Sequence, residues 1–286
     1  MELVSYQIPA KKSELVVMPI GDIQYTGTKH DTAAVDKLKK HIEWGMEHDA
    51  WFLGMGDYID FASPSNRQRL RAAALYDTAE EVIEDAAVQL MEKLYEKALK
   101  GSEGRWLGLL EGHHYTQLQD GTTTDQLLCR KLQTKFLGTC AYIRLVFTST
   151  TARGNVTIWC HHGVGSGRIG APLNKLELLP TYWDADIYLM GHQSKIVAAP
   201  LDRVEPVWSG TQEPHLIHRT ILIAGTGGFS KAYLLNSTQG SIPRGGYVEK
   251  AMLSPVALGG VMITIAPRWK QINGHKVWNP DLRISL

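Results

Sequence analysis

Short apolar runs alternate with amphipathic stretches along the first two thirds of the chain. Strands and helices that follow one another in this way are the signature of a layered α/β sheet. Leu15-Val16-Val17-Met18 reads as a central strand, and Trp51-Phe52-Leu53 as the next one. Between them Val35, Leu38, Ile42 and Met46 recur at helical spacing, which predicts a helix over residues 32–48 with one buried face. A second helix is expected over 78–99. It opens on Thr78-Ala79-Glu80-Glu81, a fit to the reciprocal capping box. Val82, Ala86, Leu90 and Leu94 form its stripe, and Gly101 is its stop. A third helical pattern over 122–136 carries Asp125, Leu128, Leu132 and Phe136. From Cys140 the texture turns to β, with strands expected at 141–148, 156–160, 187–190, 220–224 and 256–265. Gly225-Thr226-Gly227-Gly228 lacks the Lys-Ser/Thr of a phosphate loop and reads as a strand-end turn.

Composition narrows the class without naming the chemistry. At 286 residues, 44% hydrophobic and 21% charged, the chain can bury a sizeable core. No repeat, charge run or linker marks a boundary, so residues 1–286 read as a single domain. A formal net charge of +1 supplies no global field for nucleic acid or an anionic membrane. Cys129, Cys140 and Cys160 show no CxxC spacing, which excludes the usual signatures of a disulfide framework or structural zinc site. The start of the chain lacks a signal-peptide pattern, and no apolar run approaches the roughly 18 residues of a membrane span. The expectation is a soluble, cytoplasmic protein with no membrane partner.

The informative feature is where the charged residues fall. Five probable strands end in potential metal ligands: Asp22-Ile23-Gln24, Gly56-Asp57-Tyr58-Ile59-Asp60, Gly112-His113-His114, His161-His162-Gly163 and Gly191-His192-Gln193-Ser194. Burying such groups unpaired costs several kcal/mol or more. A bound divalent metal removes that cost, because the same groups then offset its charge. The pattern therefore points to a metalloenzyme. Asp60 reads as support for the ligands around it. His30, His41, His48, His215, His218 and His275 lie outside the pattern and read as ordinary surface or hydrogen-bonded residues. Arg67, Arg69 and Arg71 fit either an approach to an anionic substrate or a solvated helix face, and Tyr182, Trp183 and Phe229 either a substrate mouth or, as such positions more often are, core.

Taken in order, the five motifs resemble those of the calcineurin-like metallophosphoesterase superfamily: Asp-x-His, Gly-Asp-x-x-Asp, Gly-Asn-His-Glu/Asp, His-Gly and Gly-His-x-His. The resemblance spans residues from about 15 to 194. It implies a four-layer αββα sandwich, with two facing mixed β-sheets, outer helices and the site at the strand ends. It also implies two divalent metal ions, of which Mn, Fe, Ni and Zn suit the oxygen and nitrogen donors. Asp22 and Gln24 would bind the first metal, and Asp57 would bridge both. His113, standing where the family has Asn, would bind the second metal with His162 and His192. His114 would be the leaving-group acid. Ser194 replaces the family's last His, which leaves the first site weak, exchangeable, or filled only when substrate phosphate bridges. His161 is a possible compensating ligand.

The implied function is hydrolysis of a phosphomonoester or phosphodiester by in-line attack of a metal-activated hydroxide. Two alternatives stand beside it: a nuclease acting on DNA or RNA, and a non-catalytic metal-binding scaffold for protein interaction. Retention of His114 favours an enzyme, and loss of the usual residues at Gln24 and Ser194 favours the scaffold. The expected partner is a phosphorylated small molecule or a nucleic-acid substrate.

Overall fold

The computed structural model describes residues 1–8, 13–28, 31–62, 69–70, 72, 77–148, 153–165, 170–209, 213–239, 242–243, 245–250, 252, 254–272 and 275–286. The strands, in chain order, are β1 (Glu2–Ile8), β2 (Leu15–Ile20), β3 (Trp51–Gly54), β4 (Trp106–Leu109), β5 (Cys140–Thr148), β6 (Arg153–His161), β7 (Ile187–Met190) and β8 (Ile196–Ser209). They continue with β9 (Glu213–Gly228), β10 (Thr238–Gln239), β11 (Ile242–Pro243), β12 (Gly259–Gly260), β13 (Met262–Ala266), β14 (Trp269–Ile272), β15 (His275–Trp278) and β16 (Asp281–Ser285). The main helices are α1 (Val35–Glu47), α2 (Asp77–Leu94), α3 (Thr124–Lys131) and α4 (Ala171–Leu176).

Two mixed sheets result. One has seven strands in the order β1-β5-β6-β7-β9-β12, with β8 also paired to β9; the other runs β16-β13-β2-β3-β4. Within them β2, β3 and β4 are mutually parallel, as are β6, β7 and β9. Successive side chains of a strand point to opposite faces, so each strand feeds two cores. Leu15 and Val17 join Leu53, Ile263 and Ile265 in one core with Ile143, Leu145, Ile158, Leu189 and Leu222 of the other sheet. Met18 and Ile20, of opposite parity, pack with Leu38 and Ile42 of α1, Leu90 and Leu94 of α2, and Leu128 of α3. Trp159, Tyr188, Ile221 and Ile223 turn away from the first core and meet Leu176 of α4.

Several expectations shift in register or extent. The buried face of α2 comprises Ala87, Leu90, Met91 and Leu94, whereas Val82 is 68% exposed and Ala86 is also exposed. Both stripes satisfy helical spacing, and only the surface that the helix meets selects between them. The helix ends in a π turn, Tyr95–Leu99, whose extra residue per turn still lets Ala98 and Leu99 reach the core. The helix begins at Asp77, and the capping side chain proposed at Thr78 lies outside the described ones. A complete capping box occurs instead at α3, between Thr123 and Gln126. The helix expected over 122–136 stops at Lys131, because extended backbone beyond Gln133 gains ladder bonds to β4, from Leu109 to Lys135 and from Leu137 to Leu109.

Gly225 to Gly228 continue β9 rather than turning, with Gly227 and Gly228 pairing Gly260 and Gly259. The strand expected over 256–265 is two pieces, β12 and β13. Strands β1, β8 and β16 were not anticipated. Cys129 and Cys160 are buried free thiols. Phe229 is buried as expected, whereas Tyr182 is 75% exposed and Trp183 is also exposed. His30, Arg67 and Arg71 lie outside the described residues. Among the described residues no helix is long and apolar enough to cross a membrane.

Candidate metal centre

The loops leaving the parallel strands are stitched to one another before any side chain is considered. Asp22, Ile23 and Gln24 donate their amides to the carbonyls of Gly56, Asp57 and Asp57, at 2.9–3.0 Å. Leu110 donates to Gly54, Gly191 to His161, and Phe229 to Asp22. The turns are tight enough to force unusual backbone. Among the described residues nine non-glycines have positive φ, and five of them are Asp22, Gln24, Asp57, His192 and Ser194. Such conformations are costly for side-chain-bearing residues and concentrate where a site requires them. Gly112 is required for a different reason: a Cβ there would lie 2.1 Å from both the amide nitrogen and Oδ1 of Asp57.

These turns bring Asp57, His113, His162 and His192 together, with one donor atom of each within 4.8 Å of all the others. His113 Nδ1 lies 3.1 Å from both His162 Nε2 and His192 Nδ1. Asp57 Oδ2 is 3.4 Å from His162 Nε2, an ion-pair separation, and accepts no hydrogen bond. The other oxygen, Oδ1, is occupied by the backbone amides of His113 at 2.5 Å and His114 at 3.1 Å. His162 is held from behind, its Nδ1 lying 2.6 Å from the Met55 carbonyl, which leaves Nε2 to face the group.

Asp22 is fully buried, and neither of its carboxylate oxygens has a hydrogen-bond partner. Burial and the nearby Asp57 push its carboxyl up to about 7, against the pull of His162. For Asp57 burial acts upward too, but the charge of the His162 ring 3.4 Å from Oδ2, with that of His114, holds it well below the ordinary range. Burial would depress His162, yet Asp57 carries it up to about 9. His192 is pushed down to about 4 by burial and by the His162 and His113 rings. Three imidazoles crowded on two carboxylates, with three buried carboxylate oxygens lacking hydrogen bonds, form a donor set that lacks only a positive charge. A divalent cation fits it, and would meet nitrogen and oxygen atoms it can bind.

The remaining candidates take other places. His114 stands beside the group, with Nδ1 2.8 Å from Asp60 Oδ1 and Nε2 3.9 Å from Asp57 Oδ2. His161 falls outside the four-residue group; its Nδ1 accepts from the Gly163 amide at 2.6 Å and its ring stacks on Trp159. Gln24 is partly buried and tied to Asp57 through its own amide. Ser194 faces Asp22 across Gly228, where a Cβ would lie 2.7 Å from Asp22 Cβ and 3.1 Å from Ser194 Oγ. Of the histidines read as ordinary, His48 stacks on Trp44 and His218 pairs with Asp202. His41 packs its ring edge against Phe229.

Two supporting residues escaped the sequence reading. Asp125 is buried at the start of α3 and its Oδ2 accepts from the Gly112 amide at 3.3 Å; burial raises its carboxyl to about 7. Tyr58 is buried with its hydroxyl between the Gly56 amide and the Leu110 carbonyl, at 3.1 and 2.9 Å. Helical spacing put Asp125 on the buried face of its helix, but nothing in the sequence aims its carboxylate at Gly112.

No protein-family model matches the chain, and no curated protein matches its sequence. Among solved structures, that of Vps29 from Chaetomium thermophilum matches with 10% sequence identity and a TM-score of 0.31, covering 96% of this chain and 97% of that one. A likeness of that degree carries no argument about chemistry.

Proposed function

We propose that the protein is a divalent-metal-dependent hydrolase of phosphomonoesters or phosphodiesters, with residues 1–286 forming one domain of the four-layer αββα type. The observation that carries this reading is an Asp57–His113–His162–His192 group, with Asp57 and His162 buried and His113 and His192 half-buried, at the ends of parallel strands and beside a histidine paired with Asp60. Support for the layering comes from three successive cores: sheet on sheet, with helices against each outer face. Ligand sites of α/β sheets characteristically lie at the carboxyl ends of strands.

Asp57, His113, His162 and His192 would hold one cation, and Asp22 with Gln24 would face a second beside Asp57. Bound metal supplies charge to neutralise phosphate oxygens and lowers the pKa of water. The protein's own contribution is proton placement. The Asp60 carboxylate takes the Nδ1 side of His114, so the other proton of the charged ring is held at Nε2, on the side of Asp57. Burial works against the charged ring, but Asp60 and Asp57 outweigh it and raise the His114 pKa above its ordinary value. A protonated imidazole in that position is suited to donate to a departing alkoxide, a role worth about 10²–10⁴-fold in rate.

The test uses full-length protein with Mn²⁺, Zn²⁺ or Co²⁺ on p-nitrophenyl phosphate and bis-p-nitrophenyl phosphate. Metal-dependent turnover is expected, and His114→Ala should lower it about 10²–10⁴-fold while metal binding persists. Absence of turnover of both esters with every metal, or turnover indifferent to His114, overturns the reading.

A further inference from the structure

We infer that the two metal positions are unequal by construction: one cation is bound tightly by four protein donors, and a second joins only together with a phosphate-like anion. This rests on the hydrolase reading and deepens it.

The first half follows from donor spacing. Four ligands about 2.0–2.1 Å from a tetrahedral cation are separated from one another by about 3.3–3.4 Å. The separations here are 3.1 Å for each of two imidazole pairs and 3.4 Å from Asp57 Oδ2 to His162. The remaining separations are at most 4.8 Å, so all four donor atoms can close on one point by shifts of about an ångström. Three imidazole nitrogens and one carboxylate oxygen favour borderline cations such as Zn²⁺ or Co²⁺ over the hard, oxygen-seeking Mg²⁺ and Ca²⁺.

The second half follows from what remains. Asp57 has one oxygen to give, because Oδ1 is taken by the His113 and His114 amides. A second cation must share Oδ2 with the first or do without it. Its own charged donor is Asp22, whose two oxygens are buried and lack hydrogen bonds. Ser194, which like Asp22 packs against Gly228, offers a neutral hydroxyl, and Gln24 a neutral amide oxygen. That set is too poor to hold a divalent cation against water. An anion bridging the two positions would add oxygens and negative charge to both. Linkage then requires the reciprocal effect: the second cation tightens the anion by the same factor that the anion tightens the cation.

Co²⁺ titration of the metal-free, full-length protein tests both halves without turnover, by calorimetry and by visible absorption. The probe anion is phenylphosphonate, which has no ester bond to hydrolyse. We expect one tight Co²⁺ per chain with the intense bands of a four-coordinate ion. Phenylphosphonate should then recruit a second equivalent. His113→Ala should weaken the tight site by more than about 100-fold, the upper end of what loss of an outer-shell partner costs. Asp22→Asn should keep the tight ion and lose the recruited one. Two ions of similar affinity without anion overturn the inference, as does a weak six-coordinate spectrum or no second ion with phenylphosphonate. A protein that shows the expected titration yet hydrolyses neither nitrophenyl ester would sink the hydrolase reading and leave the metal asymmetry standing.

Discussion

At the residue scale the site depends on buried side chains outside the donor group. Asp125 and Tyr58 are buried behind the two loops that carry His113 and Asp57, and each holds a glycine amide next to a donor residue. Asp125→Asn keeps an acceptor for the Gly112 amide and should bind Co²⁺ nearly as wild type does. Asp125→Leu removes the acceptor, and its Co²⁺ affinity should fall about 10–100-fold, measured by calorimetry. Equal losses in both variants would point to a role for charge instead of the hydrogen bond. Asp60→Asn addresses His114. It replaces the charge that raises the imidazole pKa, so the alkaline limb of the rate–pH profile should move to lower pH with KM little changed. A parallel fall across all pH values would argue against a proton-donating role for His114.

Asp22 gives a stability prediction with a definite sign. Its carboxyl rises from 3.8 to about 7 on folding, so between those values the native state binds more protons than the unfolded chain. Its contribution to metal-free stability is therefore present below about pH 4 and is lost as pH rises toward 7. Asp22→Asn should leave the metal-free Tm near wild type at pH 4 and raise it at pH 8, by about 2–4 °C for each kcal/mol recovered. A constant Tm difference across pH would show that the Asp22 charge is not what sets it.

At the scale of elements, the site is a product of strand direction. Parallel β2, β3 and β4 deliver three loops to one edge, and parallel β6, β7 and β9 deliver three more. The glycines of those loops are spacers set by contact. Gly112→Ala would drive a methyl group into Asp57, and Gly228→Ala would push between Asp22 and Ser194. The first should abolish tight Co²⁺ binding. The second should spare it and interfere with the anion-recruited ion, which calorimetry would separate. Helix α3 contributes through its cap: Thr123→Ala removes the hydroxyl that accepts from the Gln126 amide, leaves the Thr123 amide's bond to Gln126 Oε1, and should cost about 1 kcal/mol in denaturant unfolding. It lies two residues from Asp125, so a modest loss of metal affinity should accompany it.

At the scale of the whole molecule, metal and fold are linked. A cation that binds only the native state stabilises it by about 2.7 kcal/mol at one hundred times its Kd. Adding Zn²⁺ to the metal-free protein should raise Tm, and a chelator should reverse the gain. Protons compete for the same imidazoles and carboxylates, so the gain should shrink as pH falls toward 5. A Tm indifferent to Zn²⁺ at neutral pH would count against any native metal centre.

The central strands and α1 were legible because apolar periodicity is local: Leu38 and Ile42 mark a face wherever that helix is placed. The donor residues were legible because Asp22, Asp57, His113, His162 and His192 follow apolar runs that buried strands would otherwise end without charge. What local pattern lacks is the identity of the neighbour. Two stripes of α2 were equally helical, and the surface that the helix meets buried Ala87 and left Ala86 exposed. His161 and His162 are adjacent histidines of equal chemistry. The strand pleat turns one toward Trp159 and Gly163 and the other into the group. Asp125 and Tyr58 were invisible because each acts 13 or 52 residues away along the chain. The sequence by itself thus determined which kinds of atoms reach the strand ends and in what order. Tertiary structure decided which atoms meet, because distance, burial and the occupation of Asp57 Oδ1 arise only when separate loops close on one point.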